Sequence, residues 1–404
     1  MKRLGWILVL LMMASPAWAA KKITVQQLKD MLASMQEAKK SDADVAAALK
    51  QVELSEELTL ATKNSLVSLL PMDNNSTGIQ STEQIYVLEA KSAVLPPPAA
   101  DLPSTPAPDA AAQKAILDKA VDYATKTFAV LPALTATKTT IRFQDNVEAM
   151  KAVSGMHSGA TYGDDPSLLS ASQFVHYINS TETPIVLVSG AEKLPTTKDK
   201  TPWGANAQIV LQGQGPVLST VLQEAETAEK INWLRWETIN GKPAAVYSFT
   251  VDKKKSHYAV NYCCFPESEE AGRMRYIPAT GSSGPGASAP SSMDASVKGN
   301  FQTATNWNNF KTTVPYHGEV FIEPETGIVV RLITQADFKP TDVVHQEDER
   351  IDYGPVTVGG KALVLPVKTV INTEVVPNGD STSGKYKTRR TLFSAEYKDY
   401  QPAH

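Results

Sequence analysis

Cysteine is almost absent from this chain of 404 residues: Cys263 and Cys264 are the only two, and they are neighbours. Such a pair is not a disulfide framework. In a strand the two side chains point to opposite faces, which suits two small packed residues. A strained bond between them, or a bridge to another chain, are the alternatives. Histidine is also scarce. The six are scattered, and no His-Glu-x-x-His occurs, so no metal is expected. A phosphate-binding loop is missing, because Gly281 to Gly286 has no following Lys-Ser/Thr. Gly155-Met156-His157-Ser158-Gly159 lacks the Gly-x-Ser-x-Gly spacing of a nucleophile turn. Nothing in the chain therefore points to an enzyme or to a cofactor.

Excess positive charge is lacking too. Without Lys2 and Arg3 the 39 basic residues become 37 against 43 acidic ones, a formal charge of −6. Nucleic acid is excluded as the expected partner, since phosphate binding needs a basic footprint. No apolar run after the N-terminus approaches the length that spans a bilayer. The N-terminus itself has the form of a cleaved secretory signal over residues 1–19. Lys2 and Arg3 form its charged end, Trp6 to Met13 its apolar core and Ala17-Trp18-Ala19 its cleavage site. The expected location is periplasmic or secreted, with nothing crossing the membrane after cleavage.

What the chain does contain falls into two blocks. Residues 20–95 read as a helical subdomain. Thr24 and Gln27 make a capping box ahead of Val25, Leu28, Leu32 and Met35. Ser41 caps a second helix, a third runs from Ser55 to Leu70, and a fourth spans Thr82 to Ala93. Residues 96–108 carry six prolines and form an extended linker. Residues 109–404 begin with a helix capped by Asp109, with Ile116, Ala120, Ala124 and Phe128 on one stripe.

After Thr139 the pattern turns to strands. The clearest hairpin is Tyr316 to Thr334, closed by Pro324-Glu325-Thr326-Gly327. Asn240-Gly241 marks another, after Trp233 to Glu237. Ala244 to Val251 and Ser256 to Cys264 read as a hairpin across Asp252 to Lys255, and Phe174 to Ile178 with Ile185 to Val188 as a pair. Residues 279–296, rich in Gly, Ser and Pro, read as a mobile loop. The run His345-Gln346-Glu347-Asp348-Glu349 gathers possible oxygen ligands, but the better reading is a solvated acidic stretch. The fold class these signals predict is α+β: a small helical subdomain, then a curved antiparallel sheet, an open half-barrel, covered by a helix.

The segment from Ser172 to Tyr400 carries Trp233-x-x-Trp236-Glu237, Ser256-His257-Tyr258, Tyr316-His317-Gly318-Glu319, Glu323-Pro324-Glu325-Thr326-Gly327 and Asp352-Tyr353-Gly354-Pro355. With these motifs and its helical front the chain resembles a set of exported bacterial proteins of unknown function. The strand, Glu-Pro-Glu-Thr-Gly turn and strand is also similar to hairpins of periplasmic lipoprotein carriers of the LolA/LolB type. That likeness implies an open half-barrel holding acyl chains against its helices. On it rests an expected apolar lining of Trp233, Trp236, Tyr247, Phe249, Tyr258, Tyr262 and Phe321 for a hydrophobic small molecule or lipid. The alternative expectation is an envelope protein that docks another protein and holds no small ligand.

Overall fold

The computed structural model describes residues 21–73, 76–145, 175–193, 210–211, 215–266, 307–378 and 388–403. The expected leader, the loop 279–296 and the side chains of Cys263 and Cys264 lie outside the described residues.

The front block contains β1 (Lys21–Ile23), α1 (Val25–Glu37), α2 (Asp42–Lys50), β2 (Val52–Leu54), α3 (Leu60–Val67), the short pair β3 (Met72–Asp73) and β4 (Ser76–Thr77), and α4 (Ile79–Ser92). The helices start where the caps predict. Thr24 Oγ1 accepts the Gln27 N–H at 3.2 Å, and the Thr24 N–H returns to Gln27 Oε1 at 3.0 Å. Ser41 Oγ accepts the Asp44 N–H at 3.2 Å. Leu28, Leu32, Leu49, Leu58, Leu66 and Ile85 meet in a core of their own.

The second block opens with α5 (Ala110–Lys126), whose first turn is held by Asp109 Oδ1 accepting the Ala112 N–H at 2.8 Å. Ten strands then make one antiparallel sheet. They are β5 (Leu134–Asp145), β6 (Val175–Val188), β7 (Ala191–Glu192), β9 (Ile231–Ile239), β10 (Lys242–Val251), β13 (Tyr316–Ile322), β14 (Val329–Ala336), β15 (Val344–Val358), β16 (Lys361–Asn378) and β17 (Thr388–Pro402). Their order is β7-β6-β5-β17-β16-β15-β14-β13-β10-β9, with both edges open. A smaller sheet, β12-β11-β8, is formed by β8 (Val210–Leu211), β11 (Ala259–Pro266) and β12 (Trp307–Thr313). One further helix, α6 (Leu218–Ala228), lies between β8 and β9. The architecture is thus a helical subdomain followed by a curved, open antiparallel sheet. Register shifts recur from β5 to β10, and each adds local bend and twist.

Both faces of the sheet are covered. On the trough face α5, α6 and the small sheet pack against Tyr247, Phe249, Tyr316, Val320, Ile322 and Leu332. On the outer face α4 sets Val87, Ala90 and Ala93 against Phe143, Val175, Val370 and Leu392. Charge completes the outer contact. Arg350 Nη1 bonds Glu57 Oε1 at 2.5 Å and the Ala93 carbonyl at 3.2 Å. Arg350 and Arg331 also grip Asp352, at 3.0 and 2.6 Å. Burial alone would raise the Asp352 carboxyl, but the two guanidiniums hold it down to about 2. The proline-rich segment joins the two covers at the β9 edge: the Pro96 carbonyl accepts the Glu57 N–H at 2.8 Å, and the Pro106 carbonyl accepts Trp236 Nε1–H at 2.9 Å.

Two expected pairings differ. β10 does not pair with β11. Its two edges are taken by β9 and β13, so the chain after Asp252 leaves the main sheet and pairs with β12 and β8 instead. The expected pair within 174–188 is one strand, β6, running along β5 without a turn; Phe174 lies outside the described residues. Its middle, Ser180-Thr181-Glu182-Thr183, is polar because it is exposed.

The β13–β14 hairpin follows the expected turn. Gly327 has φ +75°, and a Cβ there would lie 2.6 Å from the backbone of Lys119 in α5. Lys119 Nζ donates in turn to the Glu325 carbonyl at 3.1 Å. Gly241, in the β9–β10 turn, has φ +76° but open space around it. Gly241→Ala should therefore cost only left-handed strain, about 1 kcal/mol. Gly327→Ala should cost clearly more, about 2–3 kcal/mol, because the turn must also retreat from α5. Urea unfolding of the two variants checks the ranking; equal losses would show that α5 does not constrain the turn.

Candidate functional site

The expected aromatic lining is assembled only in part. Trp233 and Trp236 stand three residues apart, a spacing that separates faces in a regular strand. The bulge opposite Val246/Tyr247 brings both to the trough face, with ring centroids 4.9 Å apart and Tyr247 5.5 Å from Trp233. Phe249 packs 6.0 Å from Tyr316, and Tyr258 reaches the same ring at 5.5 Å from the small-sheet side. Phe321 does not join them. It lies on the outer face with Ala244, Val246 and Ile333, because its neighbours Val320 and Ile322 take the trough face. Tyr247, Phe249, Tyr258 and Tyr262 are all buried in side-chain contact.

At the centre of this packing sits the stretch expected to be solvated. Glu347 and Glu349 are each 3% exposed, and Asp348 between them 4%. The correction follows from position. β15 lies in mid-sheet, covered on both faces, so its charges alternate into two interiors. Asp348, Arg350 and Asp352 face outward to the helical subdomain side, while Glu347 and Glu349 face the trough. Glu347 accepts hydrogen bonds from both tyrosines of the small sheet: Tyr258 Oη–H at 2.6 Å, and Tyr262 Oη–H, which also contacts Thr373 Oγ1 at 3.1 Å. Glu349 Oε2 accepts the N–H of Gly215, just ahead of α6, at 2.9 Å.

A third carboxylate works from the cover. Glu224 on α6 accepts Tyr316 Oη–H at 2.7 Å and the His257 N–H at 3.0 Å, with His257 Nδ1 at 2.5 Å. The cover is thus tied to the trough by three carboxylates amid an apolar interface. None of Tyr316, Glu224, Glu347 and Glu349 was in the expected lining: Tyr316 was read only as hairpin, Glu347 and Glu349 as solvated, and Glu224 was not named. The one available signal was the apolar flank of the acidic run, Val343-Val344 and Ile351, which marks it as strand rather than loop.

Burial drives the electrostatics. Desolvation pushes the Glu347 carboxyl up to about 7, partly offset by its two phenol donors. Glu349 rises to about 7 through burial and the charge of Glu347, against the Gly215 N–H. Such groups could exchange protons near neutrality. Glu349 is one of the residues lining a small cavity of about 30 Å³, room for one or two waters. Among the described residues no group of three or more His, Cys, Asp or Glu is arranged to hold a metal. None of their helices is long and apolar enough to cross a membrane.

Comparison with protein-family models, with curated proteins and with solved structures finds no match for this chain. The site must therefore be argued from its own chemistry.

The raised carboxyls fix a pH dependence. In the unfolded chain Glu347 and Glu349 ionise near 4.5, in the folded chain near 7. The unfolded state thus loses its protons first. Stability should be highest below about pH 4.5 for these groups, fall as pH rises to about 7, and level off above that. Each carboxyl contributes on the order of 3 kcal/mol to the fall. Denaturant midpoints at pH 5 and 8 should show the drop in the native chain and a much smaller one in Glu347→Gln/Glu349→Gln. An equal drop in both would place the titrating groups elsewhere.

Proposed function

We propose that this protein is an exported binding module, periplasmic or secreted, that holds a hydrophobic ligand such as a lipid or acyl chain between the sheet and its cover. The observation that carries the reading is the join itself. Tyr247 and Phe249 of the sheet meet Tyr258 and Tyr262 of the cover across an apolar layer that closes on phenol–carboxylate bonds. A permanent contact has little use for buried carboxylates that meet no arginine or lysine, since even paired ones can often be replaced by apolar residues without loss of stability. An interface that parts and re-forms does have a use for them. They specify how it closes, and they are readily rehydrated when it opens. The space is filled in the closed form, so the ligand takes the place of the cover's own side chains.

The likeness of the Glu323-Pro324-Glu325-Thr326-Gly327 hairpin to periplasmic acyl-chain carriers supports the same reading. A second reading, docking of an envelope protein, is favoured by exposed apolar side chains on the helical subdomain. Leu60, Ile79 and Tyr86 are 62%, 64% and 43% exposed.

Native mass spectrometry of the mature protein from its own envelope, with uptake of a fluorescent fatty acid in vitro, tests the first reading. The native protein should carry or take up one acyl ligand. Tyr258→Phe/Tyr262→Phe, which removes both bonds to Glu347 while keeping the rings, should take it up several-fold faster. No co-purifying lipid and no uptake by either protein would overturn the carrier and leave the docking reading.

A further inference from the structure

We propose that the ligand of the trough is an anionic amphiphile, whose acidic head group, a carboxylate or a phosphate, is bound by Arg142 on the β5 wing. This rests on the carrier reading and adds where the polar end of the ligand sits. Five arginine side chains are described, and four of them stand on the outer face. Each of those four meets a carboxylate. Arg235 pairs with Glu237 and Glu319, Arg331 and Arg350 with Asp352, and Arg390 with Glu374. Arg142 faces the trough, because its neighbour Phe143 takes the outer face. Among the described residues it meets no carboxylate. Burial alone acts on it, lowering its pKa, with no nearby charge to oppose the shift. A guanidinium kept partly out of water without a counter-charge is costly, so an anion brought by a ligand is its natural partner.

The geometry leaves that partner room. The guanidinium carbon lies 4.8 Å from the centre of the Phe393 ring, which fixes the plane of the group. Its N–H edge then offers the fork that fits a carboxylate or phosphate. Nε is sealed and unbonded, but Arg142 as a whole is only half-buried, and its terminal nitrogens stay within reach of solvent. Its cross-strand neighbours Phe393 and Asn179 are half-buried as well. One transverse row of the trough face joins this place to the aromatic layer: Arg142, Phe393, Ile371, Glu349, Thr334, Gly318 and Phe249. Glu349 is three strands from Arg142 along that row, about 14 Å at the usual strand spacing. Phe249, beneath the cover, is six strands away. A head group at Arg142 thus sits on the partly open wing, with its tail directed toward the covered apolar layer.

Calorimetric titration of the full mature chain with decanoate, decyl phosphate and decanol at pH 8 tests this. The two acids should bind about tenfold tighter than the alcohol, the gain expected of a charge-assisted fork. Arg142→Gln should remove that gain and leave decanol binding within twofold of the native value. Acetate and inorganic phosphate, which carry the charge without the tail, should not bind at millimolar concentration. Should Arg142→Gln fail to fold, Arg142→Lys replaces it, and the preference for the acids should fall several-fold with the loss of the fork. Equal binding of acid and alcohol to the native chain would overturn the head-group site and leave the carrier reading standing. So would equal weakening of all three ligands in Arg142→Gln, or an unchanged preference in Arg142→Lys. Inorganic phosphate binding as tightly as decyl phosphate would make the site one for a free anion instead. No binding of any decyl compound would overturn both readings.

Discussion

A wide antiparallel sheet has two faces, and here neither is left to water in its middle. That constraint organises the chain. One cover is made by the helical subdomain, through α4. The other is made by α5, α6 and the small sheet, whose pieces come from between the strands. Because the two covers lie on opposite faces, the chain must cross an edge between them. It does so with prolines, which cannot be drawn into the ladder as an extra strand. The indole of Trp236 on the edge strand β9 holds that crossing through the Pro106 carbonyl.

The two covers are bonded differently. Outside, the carboxylates meet guanidiniums: Glu57 and Asp352 with Arg331 and Arg350, so the charge is neutralised in place. Breaking such a contact would strand buried charges, which makes it a fixed joint. Inside the trough, Glu347 and Glu349 meet phenols and a backbone N–H, with no cation bonded to them. Their charge is tolerated rather than cancelled, which is why their carboxyls rise while that of Asp352 falls. One strand, β15, carries both kinds of group on alternate residues. The same six-residue stretch thereby fastens one cover firmly and the other conditionally.

Local signals were legible in the sequence, and partner choice was not. Thr24, Ser41 and Asp109 cap helices because a side-chain oxygen reaches an N–H three residues on, a relation that is wholly local. Asn240-Gly241 and Pro324 to Gly327 turn the chain for equally local reasons. The β10–β11 hairpin fails because one edge of β10 is filled by β9 and the other by β13, a strand more than sixty residues further on. The open, helix-covered sheet itself follows from the count of strands and turns, which survives errors in pairing.

The acidic run shows where composition misleads. Five consecutive polar or charged residues usually face water, because one buried face cannot accept them all. A mid-sheet strand between two covers has two buried faces, and alternation halves the load on each. Whether those faces hold guanidiniums, phenols or nothing is decided by elements as distant as Glu57 and Tyr262. Glu349 is the limiting case: its partner N–H comes from Gly215 and uses only one oxygen. A chain that stabilises every other carboxylate on this strand with a donor at each end, or with arginine, leaves this one oxygen buried without a hydrogen bond. Burial and the charge of Glu347 raise that carboxyl to about 7, so near neutrality a proton can settle where no side chain does.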